Sequence, residues 1–262
     1  MKSDERTGDE PPRGRGPALG LVALGALALS KGKALLGLLK LASLGKLTLT
    51  SLSMLVMVWY EAKRYGFPFA VGFVLLILIH ELGHGAAIKA AGLSAGWPLF
   101  IPGFGAMIAL KGVPRTAAIE AEIAYAGPLY GTFSSLVAAG LYFLLHQRLF
   151  LALAYTGFFL NLFNLIPVPP LDGGRVAASF SRSMSLLGAL LLGALFLWAS
   201  SPQLLVIAVL ALMHGLRRAS SASEQEPATP EERRTWALRY FGLCGFLALA
   251  MMFAKELLDR RS

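Results

Sequence analysis

Long apolar runs, separated by short polar or glycine- and proline-rich breaks, dominate this sequence. A transmembrane helix needs about 20 predominantly apolar residues. The runs that are candidates for such helices lie at about 47–60, 67–91, 119–146, 149–166, 184–200, 202–216 and 236–258. The pattern therefore predicts an all-α polytopic membrane protein with about six or seven transmembrane helices.

One apolar segment has a different pattern. Between residues 92 and 114, positions such as Pro98, Pro102 and Gly105 interrupt a string of large apolar side chains. A regular membrane helix does not tolerate such closely spaced breaks, and irregular backbone at membrane depth must pair with itself or be covered by protein. We therefore expect a re-entrant segment or a β-hairpin near residues 97–110, packed beside the functional residues.

Polar segments divide the rest of the chain. The first residues are charged and rich in proline and glycine, as in a disordered tail, and the leucine stretches up to residue 46 are too short for a span and are interrupted by lysines. These stretches favour an amphipathic region at the membrane interface, with a short true span or a cleaved signal at 18–29 as the alternative. The predicted organisation is a disordered tail at 1–16, an interfacial region at 17–46, a core at 47–218, a cytoplasmic linker at 219–235 and a last transmembrane helix at 236–262.

Composition supports a membrane protein and argues against other classes. Hydrophobic residues make up 56% of the 262 residues, charged residues make up 15%, and the mean hydropathy is +0.62. The net charge of +9 comes from lysines and arginines at the ends of apolar runs, without an aromatic-interleaved patch suited to nucleic acid. We therefore expect membrane lipid as a partner, and no nucleic acid. The single cysteine, Cys244, cannot form an internal disulfide.

Two histidines interrupt the second apolar run. His80, Glu81 and His84 form the pattern HExxH. On a helix, the two histidines project from one face, and Glu81 lies about 100° round from His80, close enough to act on a water between them. This arrangement binds zinc, but two imidazoles leave a four-coordinate catalytic zinc in need of a third protein ligand and an open position.

The third ligand must come from elsewhere in the apolar core. Besides Glu81, the only carboxylates between residues 67 and 223 are Glu120, Glu122 and Asp172. Ionisable groups at membrane depth are costly and tend to be functional. Asp172 is the strongest candidate, because the prolines before it and the glycines after it break the backbone and can bring a short carboxylate up to a metal. Glu120 and Glu122 are better explained as charges at a helix N-terminus.

Two asparagines lie on the apolar run that precedes Asp172. Asn161 and Asn164 can each hydrogen-bond to neighbouring helices, and for Asn161 this packing role is the default interpretation. Asn164 lies nearer the broken segment, where its amide could instead hold a peptide carbonyl or a developing oxyanion.

Together, these motifs resemble the site-2 protease family of intramembrane zinc metalloproteases. The resemblance covers about residues 47–218 and rests on the HELGH motif at 80–84, the AGP motif at 126–128 and the stretch NLIPVPPLDGGR at 164–175. HExxH alone is a weak signal because five-residue patterns arise by chance, whereas its combination with the asparagine-to-aspartate stretch is specific. Unlike many relatives, the chain has no evident PDZ insertion or CBS domain.

The resemblance implies a zinc-dependent endopeptidase site. One Zn²⁺ per chain would be bound by His80, His84 and Asp172, and Glu81 would be the general base. The base would take a proton from water and deliver it to the leaving amine.

The resemblance also implies where substrate would bind. Asn164 would engage the substrate, with Gly105 and Asn161 as weaker candidates, and the segment near 97–110 would flank the cleft beside the active site. The expected substrate is a transmembrane helix that unwinds locally, cleaved in regulated intramembrane proteolysis. The alternatives are a chamber-type membrane metallopeptidase and a non-proteolytic zinc-binding protein such as a pseudoprotease, carrier or channel. The oligomeric state is not predicted.

Lysine and arginine positions predict the orientation in the membrane. Placing the 217–235 region and the basic N-terminal region in the cytoplasm puts the zinc motif and Asp172 in the cytoplasmic half, although Lys63 and Arg64 count against this topology. The short chain and the lack of an evident targeting peptide favour a bacterial inner (plasma) membrane.

Overall fold

The computed structural model describes residues 45, 48–181, 183–220 and 225–260. The chain divides into two compact units, Met1–Thr48 and Leu49–Ser262. The predicted tail at 1–16 and nearly all of the predicted interfacial region at 17–46 lie outside the described residues. The fold and the candidate site below therefore belong to the second unit.

The described part of the second unit is mainly helical. Its helices are α1 at residues 49–65, α2 (Phe67–Ala90), α3 (Ala117–Leu145), α4 (Arg148–Asn164), α5 (Asp172–Phe180), α6 (Met184–Ala199), α7 (Pro202–Ser220) and α8 (Pro230–Asp259). Among the described helices, α2, α3 and α8 are long and apolar enough to cross a membrane, and α6 is a shorter apolar helix. The mostly helical class is thus as expected, whereas the count of six or seven spans stays a prediction.

Helix α8 begins earlier than the sequence predicted. It starts at Pro230 rather than at Trp236, so the first turns of the helix occupy the end of the predicted linker at 219–235. Thr229 and Glu232 form a capping box, in which the Thr229 side chain accepts from the Glu232 backbone N–H and the Glu232 carboxylate accepts from the Thr229 backbone N–H. These bonds satisfy N–H groups that a helix start leaves unpaired, which explains the earlier start.

Helix α3 is the centre of the packing. It contacts α2, α4 and α5, and α8 lies against α4 and α5. The contacts bury a large apolar cluster that includes Ala124, Leu153, Phe158, Tyr240 and Leu247. The helix faces that meet in this cluster fix the positions of the polar side chains described below.

Short strands occupy the glycine- and proline-rich segment between α2 and α3. β2 (Leu99–Ile101) pairs antiparallel with β3 (Gly105–Met107), and β1 (Ser94–Ala95) pairs antiparallel with β4 (Leu110–Lys111), so that the second pair encloses the first. Gly105 has a φ of 108°, a backbone conformation that favours glycine. The segment near 97–110 is therefore not a regular helix, and its relation to a membrane stays a prediction.

Helix α1 holds the outer edge of β2. The Phe100 backbone N–H donates to Ser53 Oγ at 3.2 Å, and the Thr50 hydroxyl donates to the Pro98 carbonyl at 2.8 Å. The Phe100 side chain is buried against residues of α1 and α2 such as Met57. The strand pair is consequently fixed to the two helices that precede it.

The break after α4 ends sooner than the sequence predicted. Asp172 is the first residue of α5, and the glycines that follow it belong to the first turn of that helix rather than to the break. A Cβ on Gly173 would overlap the Leu165 carbonyl oxygen, and a Cβ on Gly174 would overlap backbone atoms of Val168 and Pro169. Glycine is therefore present for close approach to the preceding loop, although its helix propensity is low.

Helix α6 offers a matched test of backbone contact. A Cβ on Gly188 would lie 2.5 Å from the Pro167 carbonyl oxygen, whereas a Cβ on Gly193 of the same helix would have no neighbour within 4 Å among the described residues. We predict that Gly188→Ala destabilises the protein by about 1–3 kcal/mol because the helix must move off the loop. Gly193→Ala should be neutral or stabilising. Thermal unfolding in detergent micelles measures both, and equal effects would contradict the contact.

Candidate active site

Helix α2 places two imidazole rings side by side. His80 and His84 lie one turn apart on its buried face, with exposed fractions of only 3% and 6%. Their Nε2 atoms are 3.1 Å apart. Two nitrogen lone pairs at this distance repel each other unless a proton or a cation lies between or beside them, so the pair is suited to a shared positive ion.

Each ring is held by its other nitrogen. His80 Nδ1 lies 2.8 Å from Asn161 Oδ1 on α4, and His84 Nδ1 lies 2.8 Å from the Ile123 carbonyl oxygen on α3. Because both partners are oxygens that accept, the Nδ1 atoms carry the protons and the Nε2 atoms keep their lone pairs. This is how metal-binding histidines are commonly oriented. Asn161 is thus a packing residue, as expected, and the side chain that it orients is the candidate ligand His80.

Asp172 completes a triangle of ligand atoms. Its Oδ2 lies 3.1 Å from His80 Nε2 and 3.2 Å from His84 Nε2. A tetrahedral zinc ion with bonds of about 2.0–2.2 Å holds its ligand atoms about 3.3–3.6 Å apart. The three observed distances fall only a few tenths of an ångström short of that spacing. The residues therefore fit a zinc ion, with a fourth position left for another ligand.

Glu81 lies beside this triangle and outside it. The ligand atoms of His80, Glu81 and His84 all lie within 4.8 Å of one another, so these three could also hold a metal ion. Glu81 is buried, with 5% exposed, and its carboxylate faces the Ile108 backbone N–H, next to β3. The shorter distances to Asp172 Oδ2 favour Asp172 as the third ligand, which leaves Glu81 available as a base.

The close approach of α3 requires a glycine. A Cβ on Gly127 would lie 2.8 Å from His80 Nε2 and closer still to His84 Nε2. One turn further along, a Cβ on Gly131 would overlap the amide of Asn161. The backbone of α3 therefore lies directly against both candidate ligands and against the residue that orients one of them.

The alternative third ligands have other roles. Glu120 Oε1 lies 3.3 Å from Arg175 Nε, and Glu120 Oε2 accepts from the Gln225 side chain at 2.7 Å. Glu122 is exposed on the same helix. The interpretation of both as charges near a helix start fits Glu120, which lies in the first turn of α3, and the structure adds an ion pair to α5.

Two predicted substrate residues are not drawn into the triangle. Asn164 is half-buried at the end of α4, one turn beyond Asn161, and its side chain has no hydrogen-bond partner among the described residues. Gly105 lies at the start of β3 with open space around it. The residue of this segment that reaches the site is Ile108, through its backbone N–H.

Several contributions to the site carry no side-chain signal. The Ile123 carbonyl and the Ile108 N–H are backbone groups, which any residue supplies. Gly127 is visible in the sequence only as part of the AGP motif, and its contact with the histidines requires the packing of α3 on α2. Arg175 had a visible charge, but its partner Glu120 lies far away in the sequence.

Comparison with known proteins links the chain to metallopeptidases. Residues 144–187 match the model of Peptidase family M50. This match contains Asn161, Asn164 and Asp172 and begins well after the histidine pair. The predicted resemblance to the site-2 protease family is thereby confirmed.

Individual relatives carry related names. The chain is 34% identical over 134 residues to Rip3 of Mycobacterium tuberculosis, a proposed zinc metalloprotease, covering 46% of this chain and 33% of the relative. It is 34% identical over 120 residues to Zinc metalloprotease MJ0392 of Methanocaldococcus jannaschii, covering 41% of this chain and 33% of the relative. The chain thus spans about a third of the length of these curated relatives.

One solved structure is also similar. The structure of the Site-2 Protease from Methanocaldococcus jannaschii matches with a TM-score of 0.40 and 19% sequence identity, covering 69% of this chain and 92% of that chain.

Gly127 provides a test of the site geometry. We predict that Gly127→Ala abolishes stoichiometric zinc binding, because the new methyl group would occupy the space of both imidazole rings. Gly140→Ala is the matched control, since a Cβ there meets nothing within 4 Å on the same helix among the described residues. Zinc content after dialysis measures the effect. Full zinc content in Gly127→Ala would show that the rings do not lie where the structure places them.

Proposed function

We propose that this protein belongs to the site-2 protease family, Peptidase family M50, and is a zinc-dependent intramembrane endopeptidase. Its substrates would be membrane proteins, cleaved within or near their transmembrane helices in regulated intramembrane proteolysis. The observation that carries the proposal is the triangle of His80 Nε2, His84 Nε2 and Asp172 Oδ2 with a separate buried carboxylate, Glu81, beside it.

The proposed chemistry divides two tasks among four side chains. His80, His84 and Asp172 would hold one zinc ion. Bound there, zinc would supply Lewis acidity towards a peptide carbonyl and make a neighbouring water a stronger acid. Glu81 would accept the water proton on its carboxylate and deliver it to the leaving amine nitrogen.

Glu81 also bears on the alternative functions. A structural or transported zinc ion needs ligands but no adjacent base, so a buried carboxylate next to the triangle favours hydrolysis over a non-proteolytic carrier or channel. The position of Glu81 thus supports an enzyme.

The strands supply a place for an extended substrate. A helical substrate hides its carbonyls in intrahelical hydrogen bonds and must unwind before attack. The outer edge of β2 is held by α1 through Ser53, while β3 leads into Ile108, whose N–H reaches Glu81. An unwound substrate segment would therefore pair along the outer edge of β3, with Asn164 at the end of α4 available to hold a carbonyl.

Charge at the helix ends supports a cytoplasmic orientation. The C-terminal turn of α2 carries Lys89, and the start of α3 lies beside the linker residue Glu226 through backbone hydrogen bonds to Arg115 and Ala117. These ends therefore share one side with the arginines that begin α8. By the positive-inside rule, we place this side, and the site near it, towards the cytoplasm of a bacterial inner membrane.

Replacement of the base tests the proposed reaction. We predict that Glu81→Gln keeps one zinc ion per chain but lowers cleavage of a transmembrane reporter by at least about 100-fold, because glutamine cannot accept the proton. Cleavage in proteoliposomes and zinc content should be measured on the same preparations. Cleavage at the wild-type rate by zinc-loaded Glu81→Gln protein would exclude Glu81 as the base.

The wild-type protein gives the second comparison. Zinc binding with cleavage is the expected result. Zinc binding without cleavage of any transmembrane reporter would instead favour the non-proteolytic alternative.

A further inference from the structure

An ion pair joins two elements of the candidate site away from the zinc triangle. Arg175 on α5 lies 3.3 Å from Glu120 on α3, measured between Nε and Oε1. The two side chains are only 27% and 24% exposed. Gln225 donates to the second carboxylate oxygen of Glu120 at 2.7 Å. Glu120 thus has a partner on each oxygen, and the pair is less screened by solvent than a fully exposed one.

Arg175 shares a helical turn with the candidate ligand Asp172. Asp172 and Arg175 are three residues apart on the helix and lie at neighbouring positions of one face. A contact that holds Arg175 in place therefore also holds the turn that carries the Asp172 carboxylate. On another side, this turn rests on backbone through Gly173 and Gly174, which touch the loop after α4. The ion pair therefore holds the first turn of α5 against α3, on a side that the loop does not contact.

Helix α3 carries along one stripe the contacts of both candidate histidine ligands and the partner of Arg175. Glu120 bonds Arg175, the Ile123 carbonyl holds His84, Gly127 touches both histidines and Gly131 touches Asn161. Spacings of three, four and four residues keep these positions on one helix face. The ion pair therefore attaches the first turn of α5, which carries Asp172, to α3, the same helix that positions the histidines.

We infer that Arg175 is a positioning residue for the zinc site, acting with Glu120 and Gln225 to place Asp172 Oδ2 against the two histidines. The inference rests on the proposed function, since it takes the triangle to be a zinc site. Arg175 does not touch the metal position or the reacting atoms, and its effect passes through the first turn of α5.

The inference gives the segment before α8 a role in the site. Gln225 is held there by its neighbour Glu226, whose backbone N–H donates to the Arg115 carbonyl at 3.1 Å and whose carbonyl accepts from the Ala117 N–H at 3.0 Å. Gln225 thus reaches Glu120 from a segment that is itself pinned to the start of α3. This segment therefore helps to support Asp172, because the Gln225 side-chain amide holds Glu120 in position.

The test measures zinc affinity rather than activity. Full-length protein in detergent micelles is stripped of metal, and the zinc dissociation constant is measured by competition with a chromogenic chelator. We expect Arg175→Gln and Glu120→Gln each to weaken zinc binding about tenfold. The double variant should be no weaker than either single one, because both remove one interaction. Glu122→Gln, an exposed carboxylate on the same helix, is the matched control and should bind like wild type.

Two further variants distinguish a specific loss of zinc affinity from a general loss of folding. Arg175→Lys keeps a cation and should recover most of the affinity lost in Arg175→Gln. Gln225→Ala leaves the ion pair and should weaken zinc binding only about threefold, because it removes one hydrogen bond to Glu120 and only part of that loss is passed on to Asp172. The visible spectrum of the cobalt-loaded protein should change in Arg175→Gln and not in Glu122→Gln, because it reports the geometry of the ligands.

Specific results would overturn the inference. These are zinc affinities within twofold of wild type in Arg175→Gln and Glu120→Gln, additive losses in the double variant, or a lowered unfolding temperature of the metal-free protein with unchanged zinc affinity. Failure of the proposed function has a different signature, because wild-type protein would then bind zinc and cleave no transmembrane reporter while the affinity series still decides the role of Arg175.

Discussion

The contact between α3 and the two imidazole rings is the constraint on which the rest of the site depends. Because Gly127 has no side chain, the backbone of α3 lies against His80 and His84, and a Cβ there would occupy the space of both rings. That approach brings the Ile123 carbonyl to His84 and Glu120 to the helix that begins with Asp172. Without it, the ligand atoms of α2 and α5 would not converge.

Burial requires that the polar groups of the site be paired. The histidines and Asn161 are almost fully buried in apolar helices, where an unpaired polar group is costly. No buried side-chain nitrogen or oxygen among the described residues lacks a hydrogen-bond partner. Each histidine uses one nitrogen for an oxygen of a neighbouring helix and directs the other at Asp172. The Nδ1 atoms are thus satisfied by neighbouring helices, whereas the two Nε2 atoms and Asp172 Oδ2 all present lone pairs and leave one common point for a cation.

Side-chain chemistry made part of the site predictable. His80 and His84 have helical spacing, and Asp172 is one of few carboxylates in an apolar core, so the sequence predicted the three residues that the structure brings together. The sequence predicts a packing role for Asn161, and in the structure its side chain hydrogen-bonds to His80.

Other features depend on tertiary contacts that local sequence does not encode. Helix α5 starts at Asp172 although the two glycines that follow have low helix propensity. Their small size lets the first turn rest on the preceding loop, a tertiary contact that the local sequence does not show. Backbone groups such as the Ile108 N–H have no residue-specific signal. The early start of α8 is different, since its capping box was readable in the sequence at Thr229 and Glu232.

The most direct test of the central claim is the zinc content of purified full-length protein, compared between wild type and Asp172→Ala after equilibration with one equivalent of zinc. The three-ligand site predicts one tightly held zinc ion per wild-type chain and loss of that ion in Asp172→Ala. Full zinc occupancy in Asp172→Ala, or no zinc in the wild type, would contradict the assignment of His80, His84 and Asp172 as the metal ligands.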